Sequence, residues 1–291
     1  MKCMSVLFPD KEWPVVQPVQ RFLLLDGAQF TGLTVFLTQS TLINGYVRLF
    51  DGLLADRSAD PSVFLVWLNE GVSLRALFRQ LAGLAKYSGG ATVLDTSLSR
   101  MELAGRLTRR LDARLPNGKE FIARFYDGRV LPLLHNVMTG AQRASFFALG
   151  RSWWYVMPER RWAKIDLLEE DVDPYVPPLA LDDPQRRQLM NDSYPYTLID
   201  HFNLTDPGLI ARVSPADQYR FLRDTMRMAA SYGVRDGQHL HMVCTWALLL
   251  GEDFHQEPAW QQRLRDLGAG RRTTKDIVDE VWPKEEVTWD E

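Results

Sequence analysis

The chain has 291 residues, 46% of them hydrophobic and 24% charged, a globular balance that supplies one large core or two smaller ones and excludes disorder of the whole chain. With 34 Lys and Arg against 37 Asp and Glu, the formal net charge is -3, so no overall basic field exists to hold a polyanion such as DNA.

The opening residues, MKCMSVLFPDKEW, carry one lysine and a short apolar run before Pro9, well short of the apolar region of a signal peptide. Cys3 and Cys244 stand far apart and make no disulfide framework. The longest later apolar run, MVCTWALLLG, has about half the length of a membrane span. The expectation is a soluble protein of the reducing cytoplasm.

From about residue 20 to 166, short β-rich runs alternate with amphipathic stretches. RFLLLDG (21–27), SVFLVWL (62–68), ATVLD (91–95), EFIARFY (120–126) and SWWYVM (152–157) read as strands bounded by Gly, Pro or Asp. Residues 74–86 predict a helix behind Ser73, with Leu74, Leu77, Phe78, Leu81 and Leu84 on one face. A second helix is expected over about 99–114, burying Leu103, Leu107 and Leu111 while Arg106, Arg110 and Arg114 follow at four-residue spacing along its side. Strands alternating with helices predict an α/β or α+β lobe, a mixed sheet covered by helices.

Residues 166–184, DLLEEDVDPYVPPLALDDP, hold seven carboxylates, four prolines and no basic residue. Proline removes backbone donors and like charges repel, so an extended, solvated connector is expected. The predicted organisation is 1–165 as the α/β domain, 166–184 as linker and 185–291 as an all-α domain. In the latter, Asp183-Pro184, Asp206-Pro207 and Ser214-Pro215 mark helix starts. A helix over 215–232 presents Tyr219, Leu222, Met226 and Ala229 and stops at Gly233. Asp236 opens another, apolar nearly all round and ending at Gly251, which predicts the buried centre of a bundle. A shorter helix at 258–267 precedes an acidic tail with two tryptophans.

No Gly-x-Ser-x-Gly elbow, Walker A loop or Gly-x-Gly-x-x-Gly turn occurs. His239, His241, Cys244 and His255 are the nearest approach to a metal set, but His239 and His241 lie about 200° apart on a helix. A buried Cys and hydrogen-bonded His are the simpler reading, and no metal or cofactor is assigned. Asp171 and Asp173 could hold a cation or do acid/base work, but a solvated acidic face explains them better. Asp26 follows a hydrophobic strand, where open-sheet enzymes carry catalytic acids, yet a cap across the Gly27 turn suffices.

In FIARFYDGRVLPLLH (121–135), strand geometry places Phe121, Ala123 and Phe125 opposite Ile122, Arg124 and Tyr126. Asp127 then caps a helix beginning near Arg129, with Gly128 permitting the turn, and Arg124 and Arg129 pair with Asp127 or with nearby carbonyls. A strand–turn–helix junction accounts for every residue type without chemistry. An enzyme, such as a hydrolase, would instead show a pocket joining Asp26, Asp127 and His135.

KEFIARFYDGRVLPLLHNVMTGAQRASFFALGRSWWYV resembles the signature block of type VI secretion adaptor proteins, the effector chaperones of the Tap/Tec type, in which an Arg-Phe-Tyr-Asp-x-Arg-Val-Leu element precedes a helix, a Gln-containing turn and an aromatic strand. LLLDGAQ (23–29), FLVWL (64–68) and LDARLPNGKEF resemble it too, over about residues 20–165, and SYGVRDGQHLHMVCTWALLLGEDFHQEP is similar to the helical part that often follows. The motif residues are Asp26, Arg124, Phe125, Tyr126, Asp127 and Arg129; Gly128 departs from the family, which often has proline there. The resemblance implies a non-enzymatic cytoplasmic chaperone or adaptor that binds a cognate secreted effector and promotes its loading on the VgrG spike. The competing classes are a toxin-binding immunity protein and a hydrolase near Asp26 and Asp127. As partner-binding residues, the Arg106, Arg110 and Arg114 flank is expected to meet an acidic effector segment, with Trp153, Trp154, Trp282 and Trp289 as anchors if exposed.

Overall fold

A computed structural model of the chain describes residues 20–50, 62–85, 89–115 and 117–282. It divides into two compact units, Met1–Ser193 and Tyr194–Glu291. Cys3 and Trp289 lie outside the described residues.

The first unit is built on a six-stranded sheet of β1 (Gln20–Asp26), β2 (Ile43–Arg48), β3 (Val63–Leu68), β4 (Ala91–Thr96), β7 (Ser152–Val156) and β8 (Trp162–Asp166), in the order β2-β3-β1-β4-β7-β8. All its pairings are antiparallel. Strand periodicity sends alternate side chains to opposite faces, and both faces are covered. Phe22, Leu24, Leu65, Leu94 and Trp153 enter one core, and Leu23, Leu25, Phe64, Val66 and Val93 the other. A strand buried on both sides reads as an unbroken apolar run, which is why RFLLLD was legible as β1.

Helices α1 (Leu33–Gln39) and α2 (Leu74–Ala82) cover the second face through Leu33, Leu37, Leu77 and Leu81. The first face is covered by α3 (Arg100–Arg109), α4 (Leu131–Val137), α5 (Gly140–Phe146) and a small sheet of β5 (Asp112–Arg114), β6 (Glu120–Ile122) and β9 (Leu179–Ala180). Parallel pairing occurs in this small sheet, between β5 and β9.

Two expectations are corrected. The helix expected over 99–114 ends at Arg109, and Arg114 lies on β5, so the three arginines do not share one helix side. The strand expected over 120–126 ends at Ile122; Phe125 then donates its N–H to the Ala123 carbonyl and the chain turns.

The acidic segment 166–184 is no solvated connector. Leu167, Tyr175, Leu179 and Leu181 are buried in the first-face core, and β9 lies within it. The division between units falls further on, inside α6 (Asp183–Thr205), beside Pro195. This proline has no N–H to donate, so the helix loses one backbone bond there. The α6 start is held not by Asp183 but by Asp182, whose carboxylate accepts from the Gln185 N–H while Gln185 Oε1 accepts from the Asp182 N–H.

In the second unit Asp206 caps α7 (Pro207–Ile210) and Asp236 caps α9 (Gly237–Leu250), both as expected. Ser214 instead begins a turn, and α8 (Gln218–Ser231) starts four residues later. Helix α9 is central: Val243, Trp246 and Ala247 pack with α10 (Pro258–Gly268) and α11 (Thr274–Val281), while Cys244 and Leu248 pack with Leu198, Phe202 and Leu222. Gly268 is required there, because a Cβ would sit 2.0 Å from the Tyr232 carbonyl oxygen.

Phe125 anchors the junction after β6: fully buried, it meets Phe146, Trp153 and Tyr126 edge to face at 5.7–5.8 Å between ring centres. Phe125→Ala is expected to lower stability by about 3–5 kcal/mol, because the void opens among rings that cannot close over it. Urea unfolding of the full chain measures this.

Candidate functional site

Two buried charge networks organise the first unit. The first joins the end of β1 to the turn before α4. Asp26 accepts from the Ala28 N–H at 3.1 Å, capping the 3-10 turn Gly27–Gln29. That turn carries Gln29 inward, and its Nε2 donates to Asp26 at 3.1 Å and to Asp127 at 3.0 Å. Arg124 bridges the same carboxylates at 3.2 and 3.1 Å. Arg129 donates to both Asp127 oxygens through Nε and a terminal nitrogen, and its backbone N–H adds a bond of 2.9 Å.

Close backbone approach makes this geometry possible. The Gly128 N–H donates to the Gly89 carbonyl at 2.8 Å, and a Cβ on Gly89 would lie 2.7 Å from the Arg129 side chain. Asp26 and Asp127 are buried beneath a half-exposed Arg124. Two guanidiniums offset two carboxylates, so the burial that would penalise lone charges is compensated by charge-assisted bonds. Tyr126 is buried beside them, and burial followed by the Asp26 charge raises its phenol above the ordinary range. The expected ion pairs of Arg124 and Arg129 with Asp127 are therefore present, while the helix the turn leads into, α4, begins at Leu131.

His135 does not join Asp26 and Asp127 in a pocket. It lines a separate groove with Pro132, Asn136, Tyr155 and Lys164. Burial, then the Arg143 charge, lowers its imidazole pKa.

The second network surrounds Arg110, which is fully buried. Its Nε donates to the Phe146 carbonyl at 2.7 Å, and its terminal nitrogens reach the carbonyls of Arg106 and Ser145 and both oxygens of Asp173, at 2.6 and 3.0 Å. The guanidinium also lies over the Tyr175 ring at 4.6 Å. Arg106 donates to the carbonyls of Ala148, Glu170 and Asp171, and Arg109 to the Tyr175 carbonyl and the Asp173 carboxylate. These three arginines clamp residues 170–175 onto α3 and α5. Burial lowers the Arg110 pKa, opposed by its bond to Asp173. For Asp173, burial pushes upward but the Arg110 hydrogen bond and charge prevail, and its pKa is lowered.

This corrects several expected partner-binding residues. Arg106 and Arg110 are buried and face the acidic segment of their own chain: Arg106 holds the Glu170 and Asp171 carbonyls, and Asp173 pairs with Arg110 rather than standing as a solvated charge. Arg114 is exposed and pairs with exposed Glu120 across β5 and β6, a contact of little energetic worth. Trp153 is fully buried, its indole N–H donating to Thr92 Oγ1 at 2.9 Å. Trp154 is half-buried and donates to Asp95, which also accepts from Arg21 and Ser152. Trp282 is 40% exposed.

In the second unit His241 stacks on Phe202 at 5.0 Å, its pKa lowered by burial and then by His201, and burial pushes the Cys244 thiol up to about 12. Among the described residues, no group of three or more His, Cys, Asp or Glu could hold a metal ion. No helix among them is long and apolar enough to cross a membrane.

Residues 21–145 match the family model of a domain of unknown function, DUF4123. The match contains the whole first network and all three clamp arginines, but not the acidic segment they hold. No curated protein and no solved structure matches the chain.

Removing one member of the buried pair strands the other's charge. Asp173→Leu and Arg110→Met are each expected to cost about 3–5 kcal/mol. The double variant should cost less than their sum by about 1–3 kcal/mol, as a thermodynamic cycle of urea unfolding measures. The pair also sets a pH dependence. Because the folded-state pKa of Asp173 is depressed, its stabilisation is complete above its ordinary value of 3.8 and is lost as pH falls through the folded value. The stability difference between wild type and Asp173→Asn should be flat near neutrality and shrink below about pH 4.

Proposed function

We propose that this chain is a non-catalytic adaptor, or chaperone, that binds a cognate type VI secretion effector in the cytoplasm and promotes its loading on the VgrG spike. The observation that carries this reading is the match of residues 21–145 to DUF4123, a domain known in effector adaptor and chaperone proteins of that system. The signature-like residues support a binding role rather than chemistry. Asp26 and Asp127 spend their oxygens on Gln29, Arg124, Arg129 and backbone N–H groups, and the groove holding His135 is lined by neither. General acid/base work needs a carboxyl within reach of a substrate proton. Here the carboxylates fasten β1 to the turn before α4, a scaffold on which surfaces can be presented.

The test is genetic and biochemical together. Deleting this gene in a strain with active type VI secretion should reduce export of one effector at least tenfold while spike export persists, and the tagged chain should retain that effector from cytosol. Unchanged export of every effector, with no protein retained, would overturn the proposal.

A further inference from the structure

The clamped acidic segment has two sides. Its inward side chains, Leu167, Asp173, Tyr175 and Leu179, are taken up by the first-face core and by the arginines. Its outward side carries apolar groups: Leu168 is 49% exposed, Val172 81% and Val176 80%. Single exposed apolar side chains are ordinary on a protein surface, and most loops are mobile enough to rearrange around them. This one is not free. Arg106 holds the Glu170 and Asp171 carbonyls at 2.9 and 2.8 Å, Arg109 holds the Tyr175 carbonyl at 2.7 Å, and the Leu167 N–H donates to the Arg151 carbonyl at 2.9 Å. The apolar row is thus presented on a pre-ordered backbone, which lowers the ordering cost of binding.

Beside this row lies a cleft of about 250 Å³ lined by Leu98, Glu102, Leu149, Glu169, Glu170 and Asp171, with Arg106 also contributing. It is smaller than the roughly 300–1,000 Å³ of sites that enclose drug-sized ligands. Four acidic residues line it, and two guanidiniums offset them, Arg106 in the lining bonded to Glu102 and Arg151 bonded to Glu169, which leaves two negative charges in excess. A positively charged side chain is the group this cleft complements.

We infer that the outward face of residues 168–176, together with this cleft, is the docking surface for a partner segment that sets apolar side chains against Val172 and Val176 and a lysine or arginine into the Glu102–Glu169–Glu170–Asp171 cleft. The inference rests on the adaptor reading and gives its partner a chemistry. It also reverses the charge sense of the sequence expectation, in which arginines of this chain were to meet an acidic effector segment.

The test places a photo-crosslinking benzoylphenylalanine at position 172 or 176 of the full chain. A control replaces Val35, which is 58% exposed on α1 over the opposite sheet face. Illumination in cells with active secretion should join positions 172 and 176 to the same protein that the wild-type chain retains, within a segment containing apolar and basic residues. Adducts at 35 but not at 172 or 176, or adducts in an acidic segment, would overturn the surface while leaving the adaptor reading intact. A wild-type chain that retains no protein at all would overturn both. As an independent arm, Val172→Asp with Val176→Asp should reduce partner retention at least tenfold with an unchanged melting temperature; full retention by that folded variant would overturn the assignment.

Discussion

The five donors of one buried guanidinium hold the first unit together. Arg110 reaches the α5 backbone, its own helix and the Asp173 carboxylate at once. A buried ion pair is not by itself a strong source of stability, because desolvation opposes the attraction. What it fixes is placement: Arg110 is buried among Phe146, Tyr175 and the α5 carbonyls, and Asp173 brings the segment 170–175 to it.

The other network does comparable work at the C-terminal end of β1. Asp26 and Asp127 lie 101 positions apart in the numbering, yet Gln29 and Arg124 each bond to both. The aromatic cluster of Phe125, Phe146 and Trp153 lies between the elements these networks fasten. The charged groups of both networks are thus spent on fastening these elements to one another.

Much of this was legible in the sequence where the signal is local. β1, β3, β4 and β7 were marked by apolar runs, α2 by its leucine spacing, and the Asp206 and Asp236 caps by their places before helix starts. The two-part organisation and the helical second part followed from the same patterns. β5 and β9, of three and two residues, are too short to show a period. The arginines failed for a different reason. Arg106 and Arg110 have the spacing of a solvated helix face, and only the partner 63 positions beyond Arg110 reveals that the face is buried. The same omission made 166–184 read as a repelling acidic connector, since a carboxylate's counter-charge is not visible locally. In EFIARFY the alternation continued past Ile122, but the Phe125 N–H turned back to Ala123 and Asp127 gathered the next residues, so tertiary bonding overrode the period.

The central claim is that residues 166–181 are a docked part of the first unit, fixed by α3. Native-state hydrogen exchange tests it most directly. The N–H groups of Leu167, Tyr175 and Leu181, bonded to the Arg151 carbonyl, the Asp173 carboxylate and the Arg114 carbonyl, should exchange far more slowly than an unfolded peptide, and Arg110→Lys should release Tyr175 selectively while β4 stays protected. Exchange of all three at the unfolded-peptide rate in the wild-type chain would contradict the account.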